Sequence, residues 1–486
     1  MPDTLTALDA TFLELEELDG GALMNIGGTM VFEPLPGGGA PTIEDVRAHL
    51  AVRLERLARY SQRLSSTRVG DWSWPHWTDD EGFDIRSHVY HQALPAPGSD
   101  VQLCDWTANF FSHQLDRTRP LWEMVLLEGL EHGRWALGWK THHCMVDGVG
   151  SVDVIDLMLD SEPSPNGHED QRPPADERLP TEPAAPGARR TVPLPHPLES
   201  IVQAARAGAS SAGAGVRAVA HPIEAIDRSR ALAELIVRDE IVGAPHTSLN
   251  VPIGPTRRYG VVRVPLAELK AIGRELGASV NDVVLASCAA GLRSLLLGRG
   301  EELPAHGLRA MVPMNLRGES GRLSLGNQVT SLFVDLPVAQ PDPRTRLQEI
   351  AVSMKRLKES GAGEGARALI DLAEVSPPIV VQAALARTLF ASRLFNVTIT
   401  NVPGSRAPLY AFGSLLREVH PFVPLAAKHA VGVAVLSYNG LVTFGISADS
   451  GSVPDLDVLA YGIEDGLEEL GALVPDIVKI HQEMRV

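Results

Sequence analysis

The stretch "KTHHCMVDGVGSVDVI", Lys140 to Ile155, sets two histidines side by side, with Asp147 four residues after the second and Gly148 next to it. On its N-terminal side, "PLWEMVLLEGL" and "RWALGWKTHH" around "EHG" read as strand, turn, strand. On its C-terminal side, "GSVDVIDLMLD" has helical period. The pair therefore stands where a strand ends and a turn leads into a helix. Side chains alternate along a strand, so His142 and His143 are expected on opposite faces. At most one can look into a given cleft, and the other must be bonded within the fold.

Three readings compete for this cluster. A strand histidine is often no more than a satisfied core residue. A metal site is the second: His143 and Asp147 could meet on a helix, but catalytic zinc takes three protein ligands and no third stands at a recognisable spacing. The third is general-base catalysis. An imidazole titrates at about 6.5, so its neutral form is available at cellular pH. Asp147 could orient the ring, or hold the turn by pairing with an arginine. Gly148 removes a side chain where a substrate would approach. No G-x-S-x-G elbow is present, and Cys144 would point away from His143 in extended backbone. A base without its own nucleophile must activate a hydroxyl that the substrate brings.

Further from the pair, "ALMNIGGTMVFEP" reads as a strand, and residues 42–64, with a Thr cap and early acids, as a helix. "DVQLCDWTANFFSHQLD" reads as a second helix. Residues 161–197 hold the densest proline run and read as an extended linker. They divide an N-terminal lobe, 1–160, from a longer C-terminal lobe, 198–486. The second lobe opens on an Ala-rich helical stretch, 198–238, and continues in alternating strands and helices. "SVNDVVLASCAAGLRSLLL" is a helix capped by Ser279, Asn281 or Asp282. "AVGVAVLSYNGLVTFGISAD" is a hairpin turning on Asn-Gly. The class is α/β, or α+β with mixed sheets.

The 486 residues carry a net charge of −17, which argues against a nucleic-acid partner. An anionic ligand would need a few local Arg or Lys residues. Cys104, Cys144 and Cys288 are scattered and suggest neither a zinc site nor disulfides, which points to a reducing, cytoplasmic setting. The acidic N-terminus lacks the pattern of a secretory leader, and no run of about 20 apolar residues occurs. Any membrane contact is expected to be peripheral.

"HHCMVDG", His142 to Gly148, resembles the HHxxxDG motif of the acyl-CoA-dependent acyltransferase superfamily, which includes condensation domains and chloramphenicol acetyltransferase-like folds. "LDATFLELEE", "RPLWEMVLLEGL", "SVNDVVLA", "MVPMNLR", "LGNQVT" and "TNVPGS" are all similar to stretches of the bacterial wax ester synthase/diacylglycerol acyltransferase family, in the same order. The resemblance runs from about residue 5 to beyond 450. It implies a two-lobed fold with the site between the lobes, and esterification of diacylglycerol or a long-chain alcohol by acyl-CoA, a substrate rather than a cofactor.

The resemblance also implies roles. His143 would be the general base and His142 mainly structural. Asp147 would hold the turn and Gly148 keep the channel open. Asn281 would be an oxyanion donor, with Asp282 beside it, though both also suit a helix cap. Pro120, Leu121 and Trp122, and Asn401, Pro403 and Gly404, would shape the cleft, although plain strand-end packing is the favoured reading over direct chemistry. Arg257, Arg258, Arg317 and Arg322 are candidates for the coenzyme A phosphates, though each taken singly reads better as an ordinary surface arginine. Residues 376–395 form an apolar segment that suits a core helix better than an interfacial one. The acceptor lipid would bring the enzyme to the inner membrane or to lipid droplets. A condensation-type enzyme fed by a carrier protein, and a non-catalytic lipid-droplet protein, are the rival readings.

Overall fold

The computed structural model describes residues 5–55, 57–65, 75–145, 155, 158–163, 243–315, 329–359 and 394–475. Its strands in chain order are β1 (Asn25–Phe32), β2 (Gln62–Leu64), β3 (Trp77–Asp79), β4 (Val89–Ala93), β5 (Trp122–Glu128), β6 (Trp135–His142) and β7 (Arg257–Pro265). They continue as β8 (Leu308–Asn315), β9 (Val329–Leu336), β10 (Val397–Pro403), β11 (Tyr410–Ala411), β12 (Ser414–Phe422), β13 (Val431–Tyr438) and β14 (Leu441–Asp449). The helices are α1 (Ala7–Leu18), α2 (Ile43–Leu54), α3 (Asp100–Phe111), α4 (Leu266–Leu276), α5 (Val280–Gly298), α6 (Pro343–Glu359) and α7 (Leu456–Gly471).

Two six-stranded sheets carry the fold. The first runs β11-β12-β1-β6-β5-β4, the second β7-β14-β13-β10-β8-β9. Both are mixed: β4 is parallel to β5, and β10 is parallel to β13 and β8, while the other pairs are antiparallel. The mixed α/β class expected from sequence is therefore what the chain forms. The first sheet recruits β11 and β12 from the second half of the chain, and β12 pairs with β1. The sheets thus do not part where the proline run stands. Gly27 and Gly28 let β1 fit between its neighbours. A Cβ on Gly27 would lie 2.1 Å from the Trp139 carbonyl oxygen, and one on Gly28 2.3 Å from that of His420.

Two helices are shorter than their sequence patterns suggest. The helix expected over 42–64 ends at Leu54 and gives way to a short 3-10 turn and then β2. There the Tyr60 carbonyl accepts Trp122 Nε1 at 2.7 Å, which ties this turn to β5. The helix expected over 100–116 ends at Phe111. The buried Lys140 ammonium caps it, donating to the Phe110 and His113 carbonyls at 3.1 Å each. Lys140 also pairs with Glu123 at 3.2 Å. Burial lowers its pKa, against the pull of that carboxylate. The Asn439–Gly440 hairpin forms as expected, both residues taking positive φ, 44° and 83°.

α5 is the one described helix long and apolar enough to cross a bilayer by composition. It is a core helix here, with Val283, Val284, Leu285 and Leu292 fully buried. It crosses α7 at small residues. A Cβ on Gly291 would meet Ile463 Cγ1 at 2.6 Å and the Leu459 carbonyl oxygen at 2.7 Å. Gly291→Val must push backbone aside. It is expected to lower stability by about 1–3 kcal/mol, read as a lower denaturation midpoint in urea.

The Ala-rich stretch 198–238 and nearly all of 161–197 and 376–395 lie outside the described residues.

Candidate active site

β6 ends at His142, and three backbone bonds fix the turn after it. His142 N–H donates to the Leu121 carbonyl at 2.9 Å, His143 N–H to that of Met24 at 2.8 Å, and Met145 N–H to that of His142 at 2.9 Å. Leu121 and Trp122 lead into β5, the neighbour of β6, where Trp122 lies opposite Thr141. Pro120, Leu121 and Trp122 are all buried. The Trp122 ring stacks on His88 with centroids 4.6 Å apart. Such burial fits the strand-end packing reading: these residues hold the turn through Leu121's carbonyl and the sheet.

The two imidazoles differ in surroundings. His142 is 1% exposed. Its Nδ1 accepts the Cys144 N–H at 3.2 Å, so in the neutral ring the proton sits on Nε2. That nitrogen lies 3.7 Å from Glu16 Oε2, too long for a hydrogen bond but within ion-pair range. Glu16 is itself buried, and takes Arg117 Nη2 at 2.7 Å and Gln114 Nε2 at 2.9 Å. Burial pushes its carboxyl up. His142, Arg117 and Gln114 together outweigh that and hold it at about 2. His143 is half-buried and stacks on Phe12, centroids 4.1 Å apart and planes 21° apart.

Phe12 and Glu16 are four residues apart, so one face of α1 meets both rings. Strict strand alternation does not govern the pair, because the strand ends at His142 and the chain turns. Cys144 is 1% exposed, and burial raises its thiol pKa well above the usual range. It therefore stays a thiol and is no nucleophile at neutral pH. Asp147 and Gly148 lie outside the described residues.

The two candidates in the second half of the chain, Asn281 and Asp282, part company at the start of α5. Ser279 caps α5 and forms a capping box with Asp282. Ser279 N–H and Oγ donate to Asp282 Oδ2 at 2.8 and 2.7 Å, and Asp282 N–H donates back at 3.2 Å. Asp282 is thus a helix-cap residue. Asn281 takes no part in the box. Its Oδ1 accepts Asn401 Nδ2 at 3.2 Å. Val402, next to Asn401, packs on the apolar cluster that contains Cys144, Met145 and Leu436. Pro403 is exposed, while Gly404 N–H donates to the Ser437 carbonyl at 2.8 Å.

Of the four arginines that could meet an anionic ligand, Arg257 is excluded by its surroundings. It is 6% exposed and donates to the Gly254 carbonyl at 2.6 Å and to those of Thr256 and Gly21. Burial brings its pKa down to about 10. Arg257 ties the second sheet to the loop ahead of β1. Arg258 is half-buried; Arg317 and Arg322 lie outside the described residues. Among the described residues no group of three His, Cys, Asp or Glu side chains gathers as a metal site. Sequence reasoning missed Glu16, Phe12 and Arg117 as partners of the turn.

Comparison with known proteins identifies the family. The wax ester synthase/diacylglycerol acyltransferase catalytic domain matches residues 5–284, and the C-terminal domain of that family matches 325–471. A Mycobacterium tuberculosis protein named as a probable diacylglycerol O-acyltransferase is 34% identical over 479 residues, 96% of each chain. Among solved structures, a wax ester synthase/diacylglycerol acyltransferase from Marinobacter aquaeolei is similar, with a TM-score of 0.66 and 29% identity. The match covers 97% of this chain and 99% of that one. The first condensation domain of the CDA synthetase, at 16% identity and TM-score 0.62, shares the two-lobed fold, over 98% of each chain. The chain belongs to the wax ester synthase/diacylglycerol acyltransferase family of O-acyltransferases.

Proposed function

We propose that the protein transfers a fatty acyl group from coenzyme A to the hydroxyl of diacylglycerol, and of long-chain alcohols where these are present. The observation that carries this reading is the unequal histidine pair: His142 locked beside an anionic Glu16, His143 half-buried on Phe12. In this reading His143 takes the hydroxyl proton as the oxygen attacks the thioester carbonyl. The carbonyl oxygen becomes an oxyanion, and Asn281 Nδ2 donates to it. One such donor is worth about 3 kcal/mol. Asn281 stands in the first turn of α5, where the helix dipole also favours negative charge. Collapse breaks the carbon–sulfur bond, and the leaving thiolate takes the proton back from His143. Both substrates are held together, so no acyl-enzyme is needed.

The acceptor dissolves in lipid, so the enzyme would work in the cytoplasm at a membrane or lipid-droplet surface. The names of its relatives favour diacylglycerol as the first acceptor. The test is product analysis with purified protein, acyl-CoA and matched hexadecanol or diolein. Triacylglycerol from diolein is expected, with wax ester as the second product. Failure with both acceptors, together with turnover of a carrier-bound acyl group, would favour a condensation-type enzyme instead.

A further inference from the structure

We infer that Asn401 is a positioning residue that sets which end of the Asn281 amide faces the reacting carbonyl. The inference rests on Asn281 as the oxyanion donor and adds how its orientation is chosen. A primary amide presents two ends of similar size and opposite hydrogen-bonding sense: Oδ1 accepts and Nδ2 donates. An amide turned the wrong way would set a lone pair against the developing negative charge. In this fold Asn401 Nδ2 donates to Asn281 Oδ1 at 3.2 Å. That bond occupies the acceptor end of Asn281 and leaves Nδ2 as its donor.

The two residues are 120 positions apart, in α5 and β10. Each is firmly held. Asn281 follows Ser279 and precedes Asp282, whose capping box fixes the first turn of α5. Asn401 lies in a strand paired in parallel with β13, opposite Val435. Both side chains are half-buried, so water competes less with their bond than it would at a fully exposed pair. Val402, next to Asn401, packs on the large apolar cluster of which Cys144 and Met145 are also part.

The test compares Asn401→Ala, Asn401→Asp and Asn281→Asp, with kcat, KM for acyl-CoA and the unfolding midpoint measured for each. Asn401→Ala frees the amide to turn, and kcat is expected to fall about tenfold at nearly constant KM. Asn401→Asp keeps the size but accepts instead of donating. It recruits Asn281 Nδ2 for itself and turns the amide the wrong way. Its kcat is expected to fall further than that of Asn401→Ala, by about a hundredfold. A merely structural role predicts the opposite order, because the aspartate fills the space that alanine leaves empty. Lowering the pH towards an aspartic acid's pKa of about 3.9 restores a donor at position 401. The kcat of Asn401→Asp relative to the parent is then expected to rise. Asn281→Asp keeps the acceptor for Asn401 and loses the donor, so it should fold normally and be slow. If Asn281→Asp is slow while both Asn401 variants keep kcat within about twofold of the parent, the positioning role falls and the oxyanion role stands. If Asn281→Asp is fully active, both fall together.

Discussion

His143→Ala is expected to keep its fold and lose ester synthesis by about 10²–10⁴-fold, the usual worth of a positioned base. The fold should survive because the change leaves the backbone of the turn in place. His143 is half-buried, its stacking partner is Phe12, and its backbone N–H to Met24 is untouched by the change. Such a stack is worth about 0.5–1.5 kcal/mol, small beside the stability of a domain. His142→Ala should behave in the opposite way. It opens a cavity at a 1% exposed position, removes the acceptor for Cys144 N–H, and takes a partner from Glu16. Its unfolding midpoint is expected to drop, with the rate per folded molecule less affected than in His143→Ala. Initial rates at saturating acyl-CoA, normalised to the folded fraction, separate the two. An undiminished rate in His143→Ala would remove that residue as the base. A stable but inactive His142→Ala would exchange the two roles.

The elements that sequence could place are those whose signals are local. The strand ending in the histidine pair, the Asn439–Gly440 hairpin and the Ser279 cap each derive from a few adjacent residues. The helix limit at Phe111 does not, because Lys140 caps that helix from β6. The crossing of β12 into the first sheet was equally hidden: its apolar pattern suits either sheet, and only the fold decides which. The site divides in the same way. "HHCMVDG" announces a base and its neighbour. Nothing local says that "LDATFLELEE" forms a helix that meets one ring with Phe12 and approaches the other with Glu16. Likewise the sequence leaves Asn281 and Asp282 equal between cap and chemistry. The structure separates them, giving Asp282 to the capping box and Asn281 to Asn401.

Glu16→Gln should be the most pH-dependent of these changes. The folded carboxyl is held at about 2, against 4.5 for an unperturbed glutamate. Burial alone would move it the other way, so the groups around it must more than repay the loss of water. They are His142, Arg117 and Gln114. A folded pKa below the unfolded one means that the unfolded chain binds the proton more readily. The resulting stability is present above about 4.5 and is lost as pH falls through about 2. At neutral pH the difference amounts to about 3 kcal/mol. Glutamine keeps the size of the side chain and removes the charge. Arg117 retains Glu17 at 2.6 Å, but that partner is largely exposed and replaces little of a buried pair. Urea unfolding at neutral pH should therefore show the variant less stable by about 2–3 kcal/mol. Repeated at successively lower pH, the gap should narrow below about 4.5 and close near 2, as the parent's carboxylate takes up its proton. A gap of constant size down to that pH would mean that the cost is one of packing, and that His142 does not depend on the charge of Glu16.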